Sequence, residues 1–110
     1  MSTPLVVLVT VGSTEEGTRL GEALVSEKLA ACVNLISGVR SIYIWEGSVC
    51  NESEVLLVIK TTENAYGPLE ARLKELHTYS VPEIIALRID RGSDQYLGWL
   101  SESTAPDIEN

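Results

Sequence analysis

The spacing of apolar side chains divides this chain into elements of two periods. Residues 5–10 (LVVLVT) form a short aliphatic, β-branched run closed by Val11-Gly12, the pattern of a buried strand. Ser13-Thr14-Glu15-Glu16 follows as an S-x-x-E sequence, in which Ser13 accepts from the amide three residues on while Glu16 reaches back to the Ser13 amide. Leu20, Ala23, Leu24, Leu29 and Ala30 then fall on roughly one stripe, with Arg19, Glu22 and Glu27 elsewhere, which predicts a helix over 14–29. Residues 32–36 (CVNLI) and 41–45 (SIYIW) have strand chemistry, interrupted at Ser37-Gly38, and Glu46-Gly47-Ser48 turns the chain. Residues 55–59 (VLLVI) are apolar on both faces, as in a central strand covered on two sides. Residues 32–62 therefore predict one long, kinked antiparallel hairpin.

Asn64 is the candidate N-cap of a second helix, whose stripe is Tyr66, Leu69, Leu73 and Leu76 with Pro68 in the first turn. Pro82 biases Val81 away from helix, so residues 77–83 (HTYSVPE) are expected to be irregular. A strand over 84–89, a turn at Asp90-Arg91-Gly92, a cap at Ser93 and a short helix carrying Tyr96, Leu97 and Leu100 complete the pattern. Residues 1–104 are expected to form a single domain, with 105–110 a frayed tail. The order β-α-β-β-α-β plus a C-terminal helix predicts an α+β, ferredoxin-like sandwich, one antiparallel sheet with both main helices on one face. Such a sheet leaves the other face of residues 55–59 bare, and a second copy of the chain is the simplest cover. Burying roughly 800 Å² per partner would contribute on the order of 10 kcal/mol or more before association costs.

Composition narrows the function. Sixteen acidic against eight basic side chains give a formal charge of −8, with no Lys/Arg cluster to offset it, so neither nucleic acid nor an anionic membrane is an expected partner. The longest apolar runs, 5–9 and 55–59, are far too short to cross a bilayer. Residues 1–12 lack a basic segment and a cleavage site, and two cysteines without C-x-x-C spacing make no disulfide framework, so a reducing cytoplasm is the expected compartment. A Cys32–Cys50 bridge is the one pairing that composition allows.

Candidate chemistry is sparse. His77 is the only histidine. It is either a metal ligand or proton-transfer group beside Tyr79 and Glu83, or a helix C-terminal residue whose imidazole caps carbonyls. Cys32 is either a soft thiolate ligand or a small inert hydrophobe in an apolar strand. Together they are the candidate metal residues, for a copper or zinc ion, although one His per chain needs donors from other copies. Cys50 has no designed role. A Cys–His nucleophilic arrangement from Cys32, His77 and Glu83 has no local motif behind it, and no catalytic residue is assigned. Tyr43, Trp45, Glu54, Lys60, Tyr79 and Trp99 are the candidate ligand-binding set. Aromatics with a Lys and a Glu suit a pocket for a small polar or anionic ligand, or else Tyr43 and Trp45 anchor an interface and Glu54 pairs with Lys60.

Five segments, in order, carry a resemblance to a known family: 29–34 (LAACVN), 41–47 (SIYIWEG), Glu54 through Lys60-Thr61-Thr62, 77–83 (HTYSVPE) and 96–99 (YLGW). Across residues 5–101 the chain resembles the CutA divalent-cation tolerance proteins. The resemblance implies a ferredoxin-like homotrimer similar to the PII signalling proteins, with subunits joined at sheet edges through the long hairpin. It also implies a cytoplasmic role in tolerance of divalent metals, copper especially. Of the copper ligands proposed in that family, a first-strand cysteine and two adjacent histidines, this chain keeps only His77; Val9 and Leu76 stand at the other positions. The expected function is a regulatory or binding protein acting at clefts between subunits. The alternatives are an enzyme using the same cleft, with His77 as base and Lys60 holding an anion, and a structural trimeric scaffold.

Overall fold

The computed structural model describes residues 2–105. Its elements are β1 (Pro4–Val11), α1 (Thr14–Ser26), β2 (Cys32–Trp45), β3 (Ser48–Thr62), α2 (Glu63–Leu76), β4 (Ile84–Arg88) and α3 (Asp94–Ser103). The strands form one antiparallel sheet in the order β2-β3-β1-β4, so each βαβ half inserts its strand beside the other and the ferredoxin-like arrangement results. Of the expected tail, only Ala105 falls within the described residues.

Period two decides the faces. Val7 and Val9 on β1 and Leu57 and Ile59 on β3 are fully buried against Leu20 and Leu24 of α1 and Leu69 and Leu73 of α2. Gly17 and Gly21 let α1 lie close to the sheet: a Cβ on Gly17 would stand 3.1 Å from Leu35 and Leu57, and one on Gly21 3.3 Å from Val33. On the other face, Leu56 and Val58 are half-buried while Ile36, Ile85 and Leu87 are exposed. The two-sided apolar character of residues 55–59 is thus real, and one face is largely open. Helix α3 covers one end of that face, where Leu100 is fully buried and the Thr104 hydroxyl donates to Thr62 Oγ1 at 3.3 Å.

The hairpin is continuous apart from a bulge. Cα pairing runs Cys32↔Lys60 to Ile36↔Leu56, then resumes at Val39↔Glu54. The extra residue shifts the phase of β2, so Tyr43 and Trp45 point to the same side as Glu54 and Lys60 instead of the helix side. Glu46 (φ 52°) and Gly47 (φ 83°) close a two-residue turn of the kind that matches strand twist. Because β1 ends at Val11↔Val55, the hairpin beyond that pair is a two-stranded arm.

Two expected boundaries move for identifiable reasons. Helix α1 stops at Ser26, not 29. Lys28 adopts φ 62°, and its amide and that of Leu29 donate to the Val25 and Leu24 carbonyls, a left-handed cap that still buries Leu29. Asn64 is not a cap: α2 starts at Glu63, the Thr62 side chain makes no capping bond, and the Asn64 amide donates to Ser2 Oγ at 2.9 Å. Pro68 consequently lies in the second turn, leaving the Asn64 carbonyl without its intrahelical donor.

Candidate functional site

The site is built where β1 ends. The Gly12 turn feeds α1, whose Ser13 accepts from the Glu16 amide at 3.1 Å, the expected half of the capping box. The reciprocal half does not form. The Glu16 carboxylate instead accepts from the Gly12 amide (3.4 Å), the Thr78 amide (3.1 Å) and the Thr78 hydroxyl (3.1 Å to Oε2). A tertiary partner has taken the side chain that local sequence assigned to the cap. Glu16 is only 7% exposed. Burial pushes its pKa up, but the hydrogen bonds from Thr78 and Gly12 outweigh that, so its pKa lies below the ordinary carboxylate value.

His77 follows α2 directly. Its Nε2 lies 2.8 Å from the Thr10 carbonyl, which only accepts, and its Nδ1 accepts from the Tyr79 amide at 3.0 Å. Those partners require the Nε2–H tautomer and occupy both ring nitrogens. The imidazole is therefore used, though not as expected: it bridges to a strand carbonyl and does not cap the carbonyls of its own helix. Its ring packs against Tyr79, centroids 4.7 Å apart. Tyr79 in turn donates its hydroxyl to Glu54 Oε2 at 2.6 Å. Burial first, then the hydrogen bond and charge of Glu54, push the Tyr79 pKa well above the ordinary phenol value, so the group is a standing donor. Tyr43 adjoins this cluster, its pKa raised by burial and then by Cys50, Glu52 and Glu54.

A second cluster sits at the other end of the same face. Cys32 pairs with Lys60 across β2 and β3, and Asn34 Oδ1 accepts from both Lys60 Nζ and Cys32 Sγ. Tyr96 of α3 stands over it, its pKa raised by burial and then by Cys32, and stacks on Trp99 at 5.4 Å.

The six candidate ligand residues therefore divide. Tyr43, Glu54 and Tyr79 are together, with Trp45 farther out on the arm; Lys60 and Trp99 belong to the other cluster. Glu54 and Lys60 are six residues apart on one strand, about 20 Å, so they do not pair: Glu54 takes Tyr79 and Lys60 takes Asn34. The candidate metal residues divide in the same way. Lys60, across from Cys32, is four residues, about 13 Å, along β3 from Leu56, across from Thr10, with β1 two strands, roughly 10 Å, from β2. Within one chain His77 and Cys32 do not share an ion, nor do Cys32 and His77 make a nucleophile–base contact. Among the described residues, no three His, Cys, Asp or Glu side chains are placed to hold a metal. Cys32 and Cys50 are free, ten residues apart along β3 from the pairs Cys32↔Lys60 and Tyr43↔Cys50, too far for a bridge. Glu16, Thr78 and Thr10 were missed by sequence reasoning. The first looked fully explained by its capping box, and nothing local marks a strand carbonyl as a histidine partner.

Comparison with known proteins places this geometry. A family model described as CutA1 divalent ion tolerance protein matches residues 5–103. The divalent-cation tolerance protein CutA of Thermus thermophilus is 52% identical over 99 residues, covering 90% of this chain and 96% of that protein. The chloroplastic protein CutA of Arabidopsis thaliana is 51% identical over 91% of this chain, which spans 55% of that longer protein. The crystal structure of CutA1 from Oryza sativa superposes with a TM-score of 0.92 at 48% identity, covering 94% of this chain and 95% of that one.

Proposed function

This chain belongs to the CutA1 divalent ion tolerance family, and from that premise we propose that it is a homotrimeric cytoplasmic regulator of tolerance to divalent metals, copper among them, working by binding a ligand or metal ion at clefts between subunits. The observation that carries this reading is the division of the candidate residues. Polar and aromatic side chains stand in two clusters about 20 Å apart on one strand face, with exposed Ile36, Ile85 and Leu87 on the same face. A cleft formed head-to-tail apposes the Glu54 end of one copy to the Lys60 end of the next, so each pocket receives a carboxylate and a phenol from one chain and an ammonium and an indole from another. A metal held there draws its donors from more than one copy, which matches the shortage of ligands among the described residues of a single chain.

The open apolar face and the arm supply the association energy. Ile42, Ile44 and Val49 of the arm expose 66%, 71% and 73% of their surface, neighbouring aliphatic side chains of the kind that mark an interaction surface. Native mass spectrometry tests the assembly: three copies of 12.0 kDa, about 36 kDa, are expected, and a folded monomer at micromolar concentration would overturn the cleft. Calorimetric titration with Cu(II) and Zn(II) tests the ligand. Binding weakened at least about tenfold by Cys32→Ser, at the Lys60 end, and by Glu54→Ala alike places the site across the boundary, whereas loss with only one of them places it within a chain.

A further inference from the structure

We propose that His77 is a positioning residue for Tyr79 and not a metal donor: its imidazole is an uncharged bridge between β1 and the backbone of Tyr79, at the one histidine position that the family resemblance offers to copper. Helix α2 ends at Leu76, and His77 leaves it in extended backbone (φ −72°, ψ 142°) while its amide still donates to the Leu73 carbonyl at 2.8 Å. That exit carries the ring to the end of β1. There Nε2–H donates to the Thr10 carbonyl at 2.8 Å, and Nδ1 accepts from the Tyr79 amide at 3.0 Å.

A metal ion does not fit at this ring. Imidazole binds a metal through a nitrogen that carries no proton, and the bare one, Nδ1, is already held by the Tyr79 amide. The histidine side chain has 0% of its surface exposed within a single chain, so a donor from a neighbouring copy has no path to it, and assembly only adds cover. The carboxylate beside the ring is Glu16, whose Oε2 lies 3.6 Å from Nδ1 and already accepts from the Thr78 amide and hydroxyl. An ion at Nδ1 would take the acceptor from the Tyr79 amide and gather only these two ligands. Among the described residues no third His, Cys, Asp or Glu joins them, which is short of the set that a copper or zinc site takes.

What the bridge does is hold Tyr79. The phenol ring is tilted against the imidazole with centroids 4.7 Å apart, and its hydroxyl donates to Glu54 at 2.6 Å. Tyr79 is 38% exposed, whereas the histidine lies behind it, fully enclosed. The tyrosine is thus placed through its amide by Nδ1, through its ring by the imidazole and through its hydroxyl by Glu54. Two of those contacts come from His77, which the Thr10 carbonyl fixes in turn. The aromatic group that reaches the surface of the chain here is Tyr79, and the histidine sets where it stands. Any metal held in a cleft draws on donors other than His77.

Nitrogen NMR of the imidazole in the untagged full chain tests the bridge, because a sole histidine gives one unambiguous set of signals. At neutral pH the ring is expected as the Nε2–H tautomer, and Zn(II) in excess should leave its nitrogen shifts unchanged. An Nδ1–H or imidazolium ring, or signals displaced by Zn(II), overturns the assignment. Two half-isosteres test the positioning. His77→Asn puts an amide oxygen at the place of Nδ1 and should keep hydrogen exchange of the Tyr79 amide within about twofold of the parent, whereas His77→Gln reaches only the Thr10 carbonyl and should speed it about tenfold. Equal exchange in the two variants overturns the positioning role. The tautomer is read before metal is added, so the bridge and the cleft ligand fail separately. Cu(II) or Zn(II) affinity should stay within about twofold in His77→Gln, and a loss of about tenfold there returns the histidine to the metal site and overturns the bridge.

Discussion

Replacing Glu16 by Gln keeps its size and removes one acceptor. In the parent, Oε2 takes the Thr78 amide and Oε1 the Gly12 amide, while the Thr78 hydroxyl reaches both oxygens. Gln has one carbonyl oxygen, and its NH2 faces a backbone N–H that also donates. The hydroxyl reorients to accept, but one amide is orphaned in a site where the side chain it faced is 7% exposed. Gly12 and Thr78 are exposed and their bonds to Glu16 part-buried, so water takes up some of the loss and Glu16→Gln should destabilise the protein by about 1 kcal/mol at pH 7, the low end for a donor left without its acceptor. The loss is also predicted to depend on pH. The folded pKa of Glu16 is lowered from 4.5, so its ionisation contributes stability above the unfolded value and that contribution disappears as pH falls through the lowered folded value. Urea unfolding of parent and variant at matched protein concentration, from pH 7 down to pH 3, should show a gap that narrows in the acid range. A Thr78→Val cycle should show coupling between the two positions. Equal stabilities at pH 7, or a gap constant down to pH 3, would refute the account of Glu16 as an ionised tether.

Two further outcomes follow from buried hydroxyls. Thr61→Val preserves shape but removes the 2.6 Å bond to the Leu29 carbonyl in a fully buried position, and should cost about 1–3 kcal/mol in chemical denaturation, since Leu29 is itself buried. All four tyrosines, Tyr43, Tyr66, Tyr79 and Tyr96, are shifted above 10, each with burial as the first cause. Absorbance titration at alkaline pH should therefore lag that of free tyrosine, with Tyr79→Phe removing the latest-ionising step. Because an unfolded chain ionises these groups sooner, stability should decline as pH rises above about 10.

Much of the architecture was legible in the linear pattern because burial obeys simple periods. The aliphatic β-branched run at 5–10, the double-sided run at 55–59 and the Tyr66-Leu69-Leu73-Leu76 stripe specify strand, central strand and amphipathic helix with no knowledge of what they touch. Caps at Ser13 and Ser93 form as expected because a hydroxyl and an amide three residues on are neighbours in any helix start. Element ends were less legible. The stop at Ser26 depends on Lys28 accepting a left-handed conformation, and the start of α2 on a serine sixty-two positions away in the chain.

What the sequence alone determined, then, is composition, periodicity and a family signature: an acidic ferredoxin-like chain with a bare sheet face, one histidine and a small set of polar and aromatic candidates. Which candidates meet was decided only in three dimensions. One extra residue at the bulge reverses the phase of β2 and turns Tyr43 and Trp45 toward Glu54. Strand length, about 3.3 Å per residue, then carries Lys60 and Cys32 out of reach of Tyr79 and His77. Side-chain partnership depends on distance through space, and a chain records only distance along itself.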